Sequence, residues 1–504
     1  MNYRIVSKPI FGIATLLLTS LALPQLRAQI NSNDAARIGL EVAWETNIGG
    51  AQLANKKNSF VIWPHSTAKR EFVTVRTGGR IIQRISGDEI DHLALEKAIE
   101  QGARPAQPPR LGLAGASQKA EKLVATYKIL GKKIELEPFS QQLAYIVTLT
   151  TNGNVVALDA ESGAILWKAE AGDSRLPMYG PGVSDENVVV TNGNKLYVYD
   201  LETGSLVSSR DLIFTPSGTP TAIPGKAIVP SIEGRLVAYD VKNFKIPPVV
   251  LRSGNENRLG VTGSADRNFL SWPMESRLFL AKAEKAPKLW SSIDINESIS
   301  NVAVAVQGGF VFCGRNGTVV NCSTDRSHSV RWNHRLGIPV SKSPVANKDF
   351  VFVVSDDGLL SALSLTNGSL VWDGPARNIK DIVAVGKQHI YVTNSSNALL
   401  VLDLATGIET LRSNFVTPDV LPNTISDRLF FVNAKGQLTC LREIDSRLPT
   451  YVADFKASNG SPDTTKLETA TESSSQQSND SSTMLDSADE NPTTTVTDPF
   501  ADPF

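Results

Sequence analysis

At 504 residues the chain is long enough for one large all-β domain or about three average ones. A formal net charge of −1 leaves no global field that would draw it to nucleic acid or to an anionic membrane, and three cysteines are too few for a fold stapled by disulfides. The balance hides a split, because Asn459 to the end holds nine acidic residues and one lysine, which leaves about +7 on the rest.

Arg4 and Lys8 precede an apolar run from Ile10 to Leu23, followed by Pro24 and a polar stretch to Gln29. This is the layout of a secretory signal, with cleavage expected after Ala28; the competing reading is an uncleaved anchor, although the run is short for a bilayer span. No cysteine follows the run to carry a lipid. Next comes "VAWETNIGG", with Trp44 five residues before Gly49. The same spacing joins Trp167 to Gly172 and Trp332 to Gly337, so residues 42–48 have the pattern of an outer strand cut off from its own sheet.

About 80 residues without that pattern follow. "FVIWPHS" and "REFVTVRTGGRIIQRIS" predict a strand and a hairpin turning at Gly78-Gly79, then a helix capped by Ser86 or Asp88 and stopped at Gly102. A Pro-rich linker leads to a second helix, "ASQKAEKLVATYKILG". We expect a lid or side appendage here, with a divergent ninth repeat as the alternative.

From residue 133 the chain repeats. Related hairpins turn at Gly153, Gly193, Gly234, Ser276, Gly317, Gly358, Asn397 and Gly436, at intervals of 40, 41, 42, 41, 41, 39 and 39 residues. In each unit an apolar strand leads to a tight turn and then an alternating strand. Asp159, Asp200, Asp240 and Asp403 close that second strand, and Gly163, Gly204 and Gly407 end the next turn. An outer strand follows, bearing Trp167, Trp290, Trp332 or Trp372. A unit of about 40 residues with four short strands is one blade of a β-propeller, which buries its two faces only by stacking in a ring. The sequence therefore predicts an all-β, eight-bladed propeller with the tryptophans packed between blades. The last unit lacks a Trp-bearing strand, so Trp44 is expected to complete it and close the ring. Residues 448–455 are the local alternative.

These residues resemble the pyrroloquinoline-quinone (PQQ) repeat superfamily, whose blades carry an A-x-D-x-x-x-G-x-x-x-W pattern matched by Ala157, Asp159, Gly163 and Trp167. The resemblance spans roughly residues 133–445 and implies one of two functions. Quinone-dependent dehydrogenases hold the cofactor in the central funnel, between a Trp floor and a vicinal Cys-Cys disulfide, with Ca²⁺ bound by Glu and Asn. This chain has no Cys-Cys pair, and no Glu/Asn/Asp set stands out to hold the metal. The non-catalytic members are similar to the BamB-type scaffold of outer-membrane protein assembly, and this chain fits them better.

Other chemistry is faint. Taking Asn316-Gly317 as a two-residue turn puts Cys313 opposite Val320 and Cys322 diagonally on the same face, too far apart for a relaxed disulfide. His65, His92, His328, His334 and His389 form no metal-ligand spacing, and Arg267, Arg277, Arg315, Arg326 and Arg331 have the look of solubilising rim charges. After Phe455 the composition turns to Ser, Thr, Asp and Glu, which predicts disorder, and the chain ends in a doubled motif, Asp498-Pro499-Phe500 and Asp502-Pro503-Phe504, a candidate docking element.

The expected organisation is a signal (1–28), a closing strand with an α+β appendage (29–132), the propeller (133–455) and an acidic tail (456–504). The expected function is an exported, non-enzymatic monomer that binds envelope proteins or peptides, without cofactor, nucleic acid or a transmembrane segment in the mature chain. The alternatives are a PQQ-dependent alcohol or sugar oxidoreductase and a polysaccharide- or peptidoglycan-binding module.

Overall fold

A computed structural model describes residues 30–449 apart from 55, 79, 103–108, 132, 244, 253–258, 285, 326–329 and 445–448. The signal, the acidic tail, the doubled Asp-Pro-Phe motif, Arg326 and His328 lie outside these residues, as do residues 448–455 except Pro449. Short runs of Val, Ile, Leu and Phe pair with their chain neighbours into eight antiparallel sheets, six of four strands, one of five and one of three. Each sheet is apolar on both faces, so each must be covered on both sides. Eight separate apolar clusters do this, each joining one sheet to the next. The first of them joins the eighth sheet back to the first, through Trp44, Phe430 and Ile146. The sheets thus form a closed ring.

After helix α1 (Ser32–Ala36), strand β1 (Leu40–Asn47) pairs antiparallel with Gln437–Glu443, from Leu40 opposite Glu443 to Asn47 opposite Gln437. The first and last described strands therefore share one sheet, where the ring meets itself.

The appendage does not precede the ring. It is inserted between two strands of the first sheet. Strand β2 (Phe60–Thr77) pairs through Phe60–Pro64 with the second half of β4 (Glu135–Leu149), inside the ring. Past a break at Pro64/Lys69 the same two strands run on together as an arm, joined at the edge by β3 (Arg80–Ser86). Helices α2 (His92–Glu100) and α3 (Gly112–Ile129) lie between β3 and β4. The arm has its own small core, where Ala116 and Ala120 of α3 pack on Val73, Val75 and Ile85. The cap of α2 is Asp91, whose side chain accepts from the Ala94 N–H at 3.0 Å, rather than Ser86 or Asp88. Those two residues serve the hairpin end instead, since Ser86 Oγ accepts from the Asp88 N–H and Asp88 pairs with Arg70.

The register around Cys313 also differs from the sequence reading. Gly314 pairs with Thr318 across three residues, and Gly317 takes φ +86, a type I turn closed by a left-handed glycine. Cys313 therefore faces Val319, and the one-residue slip sends Cys313 and Cys322 to opposite faces of the fifth sheet. All three cysteines are free and buried. Burial pushes the Cys322 thiol up to about 12 and those of Cys313 and Cys440 higher still.

Candidate functional site

The residues singled out by the repeat belong to one recurring joint. Asp159 Oδ1 accepts from the backbone N–H of Glu161 and Ser162, and Gly163 closes the turn at φ +68. Asp200 and Asp403 build the same turn with Gly204 and Gly407. Into each turn goes a tryptophan from the preceding sheet. Trp44 donates its indole N–H to Ala160 O, Trp167 to Leu201 O, Trp332 to Leu365 O and Trp372 to Leu404 O, over 2.7–3.1 Å. A Cβ on Gly204 or Gly407 would fall 2.4 or 2.5 Å from the indole of Trp167 or Trp372, so only glycine lets the ring lie flat on the turn. Ser208 fills the indole's place in the second sheet, and its hydroxyl reaches Val241 O at 2.8 Å.

Trp290 departs from the pattern. Elsewhere a strand bulge falls on the residue before the Trp, as in Ala157 opposite Trp167 and Leu158 opposite Ile165. In the fourth sheet Leu280 faces Ser291 and Ala281 faces Leu289, so the bulge falls on Trp290 itself. Its indole packs at the rim of the cluster between the fourth and fifth sheets, against Phe269, with Lys282 Nζ 3.9 Å from the ring centre.

Inside the ring the first strands of the sheets line a cavity of about 560 Å³. Its wall is mostly apolar and rich in proline, with Val61, Pro181, Pro220, Ala222, Val304 and Pro344 among its residues. The charged groups gather at one place on it. Arg267, on the turn between Thr262–Gly263 and Phe269–Met274, points its guanidinium at Asp185 of the second sheet and Pro64 O of the first, at 2.5 and 2.6 Å. Its Cζ stands 4.2 Å from the centre of the Trp63 ring, whose own N–H donates to Asp185 at 2.9 Å. The Ser66 N–H and hydroxyl complete the shell around the carboxylate. Burial works against the Asp185 charge, but Ser66 and Arg267 outweigh it and hold the carboxyl below its usual range. For Arg267 burial wins, and its pKa is lowered despite Asp185. Arg267 holds φ +61, which costs a side-chain-bearing residue about 1–2 kcal/mol. It is therefore no solubilising rim charge, whereas Arg277 pairs with exposed Asp294 at the surface.

A second charged group fixes the arm to the ring. Arg70 of β2 spans Asp88 at the arm's base and the turn carboxylate Asp159. Burial opposes its charge, but the two carboxylates prevail and raise its pKa. Asp159 thus serves both the repeat turn and the arm. Across the seam between the eighth and first sheets, fully buried Arg428 pairs with Asp427 at 3.2 Å and with Glu161 at 3.4 Å. Asp185, Trp63, Ser66, Arg70 and Arg428 carry no sequence signal, because each lies where the repeat is interrupted or varies freely. His65, one of the five histidines, is also buried here and accepts from the Ala68 N–H at 2.9 Å, shaping the turn into the arm.

The family model of the outer membrane protein assembly factor BamB matches residues 131–247 and 281–485. The chain belongs to that family. A search of curated proteins found no match. Among solved structures, BamB from Moraxella catarrhalis is 17% identical, with 60% of this chain and 92% of that one covered at a TM-score of 0.48. A europium-containing methanol dehydrogenase is 12% identical over 59% of this chain and 80% of its own, at a TM-score of 0.44. The C-terminal WD40 domain of Sif2 is 13% identical over 59% and 92%, also at 0.44.

The quinone cofactor of the dehydrogenases does not fit this cavity. A polyanionic quinone needs several cations, and Ca²⁺ needs about six to eight oxygens. Here the cation Arg267 and the carboxylate Asp185 are engaged with each other, and Arg267 lies over the face of Trp63. Among the described residues no cluster of three His, Cys, Asp or Glu side chains forms a metal site. No helix among them is long and apolar enough to cross a membrane.

Proposed function

We propose that this chain is an exported, non-catalytic scaffold that binds proteins or peptides of the cell envelope and works in the assembly of outer-membrane proteins. One observation carries the reading. Asp185 and Arg267 on the central cavity satisfy one another, while the arm holds large apolar side chains out in solvent, with Leu93 67% and Ile99 60% exposed. A catalytic centre needs free polar groups, whereas an exposed apolar surface with a polar surround is what a protein partner buries. Membership of the BamB family supports the same direction.

The test is to recover the tagged chain from envelope extract after mild cross-linking. It should bring down envelope proteins in fixed proportion, and the double variant L93S/I99S should lower their yield several-fold. In parallel, the purified chain incubated with PQQ and Ca²⁺ should show neither cofactor absorbance nor dye-linked oxidation of alcohols or sugars. Turnover in that assay would overturn the scaffold reading.

A further inference from the structure

Two features meet at the far end of the arm. Ile129, where α3 ends, is 86% exposed, the highest value of any large apolar side chain among the described residues, and neighbouring Leu130 is 64% exposed. Thr77 Oγ1 donates to Lys133 O at 2.9 Å, which ties the β2–β3 hairpin tip to the link from α3 into β4. Ile129, Leu130 and Lys133 therefore lie at the same end of the arm as Thr77. At about 3.3 Å per residue, β2 carries this end roughly 25 Å from Arg70.

Lys128 and Lys133 flank the aliphatic pair and are exposed, and no carboxylate among the described residues pairs with either. Nearby Glu137 is held by Arg76 at 2.9 Å. In the sequence the two segments 76–80 and 128–137 hold five basic residues against two acidic ones. The end of the arm is locally cationic on a chain that is almost neutral.

We propose that the arm's end is a site for an anionic lipid bilayer: Ile129 and Leu130 enter the boundary of the acyl chains while Lys128 and Lys133 meet the headgroups. The proposal rests on the envelope reading above. A bilayer suits this surface better than a protein pocket does. Protein hot spots favour Trp, Tyr and Arg seated in well-packed pockets, whereas this end is exposed, aliphatic and flanked by lysines. Lysines beside an apolar insertion gain from anionic headgroups within a Debye length.

The experiment is co-sedimentation of the full mature chain with vesicles of phosphatidylglycerol and phosphatidylethanolamine, at low and at 0.5 M salt. Wild type should pellet at low salt, much less at high salt and much less with phosphatidylcholine alone. K128Q/K133Q should weaken partition roughly 30-fold at low salt, and I129S/L130S at least about tenfold. All four side chains are exposed, so thermal unfolding of both variants should match wild type. Wild type that stays in the supernatant, or variants that pellet equally, would overturn the proposal. If I129S/L130S leaves vesicle binding intact but loses cross-linked envelope proteins, the end is a protein site and the lipid assignment fails, while the scaffold reading stands. If vesicle binding behaves as expected but no envelope protein is recovered, the lipid site stands without the scaffold.

Discussion

A tryptophan indole and a serine hydroxyl occupy the same position in different sheets, and each donates to the carbonyl that follows the turn-opening residue. What the position selects is a donor that reaches across to the next sheet. Burying an indole removes roughly 200 Å² from water, about 5 kcal/mol gross, so Trp is the stronger filler. The turn glycine is the matching half of the joint. We expect Gly407→Ala to destabilise the protein by about 3 kcal/mol in urea unfolding, because a Cβ meets Trp372 in addition to the cost of positive φ. Gly225→Ala, at φ +74 with open space around it, should lose only about 1 kcal/mol. Equal losses would show that the indole contact matters little.

Asp185 makes a pH-dependent prediction at the same scale. Its folded pKa lies below the unfolded value of about 3.9, so its contribution is complete above that pH and is lost as pH falls through the folded value. Asp185→Asn should therefore flatten the acid limb of the stability curve below about pH 4. Identical limbs would contradict the assignment. None of this was legible beforehand. The spacing of Asp159, Gly163 and Trp167 is repeated and visible, but Arg267 meets Trp63 and Asp185 from other sheets, and no period connects them.

At the scale of elements, β1 carries the closure. Cys440 lies beneath it, paired with Trp44 across the sheet and fully buried, while Cys313 and Cys322 sit in clusters on the far side of the ring. The three free thiols report on local opening. Trp44→Ala should speed labelling of Cys440 at least about tenfold, with the other two cysteines unchanged when the modified peptides are read by mass spectrometry. Uniform acceleration would mean that the ring opens everywhere rather than at its seam. The arm makes a second prediction, since Arg70 is its charged link to the ring. Arg70→Ala should raise hydrogen exchange in Phe72–Thr77 and Glu135–Gln141 while leaving the other seven sheets protected. The strand at Trp44 was readable because it shares a spacing with Trp167 and Trp332. Where the arm enters the ring was not, because Phe60–Pro64 and Ala144–Thr148 pair over an insertion that interrupts the period.

On the whole molecule, the ring itself was the most readable feature, since a 40-residue unit of apolar strands cannot be stable alone and must recur around a closed circle. Partners are the least readable, because loops and an inserted arm vary without disturbing that period. The ring is then a mount whose Asp185 and Arg267 engage each other, and the arm makes the contacts. Cross-linking mass spectrometry in intact envelopes tests this claim most directly. Cross-links to other proteins should concentrate on the lysines of the arm, such as Lys97, Lys119 and Lys122. Cross-links spread evenly around the ring, or none above background, would contradict it.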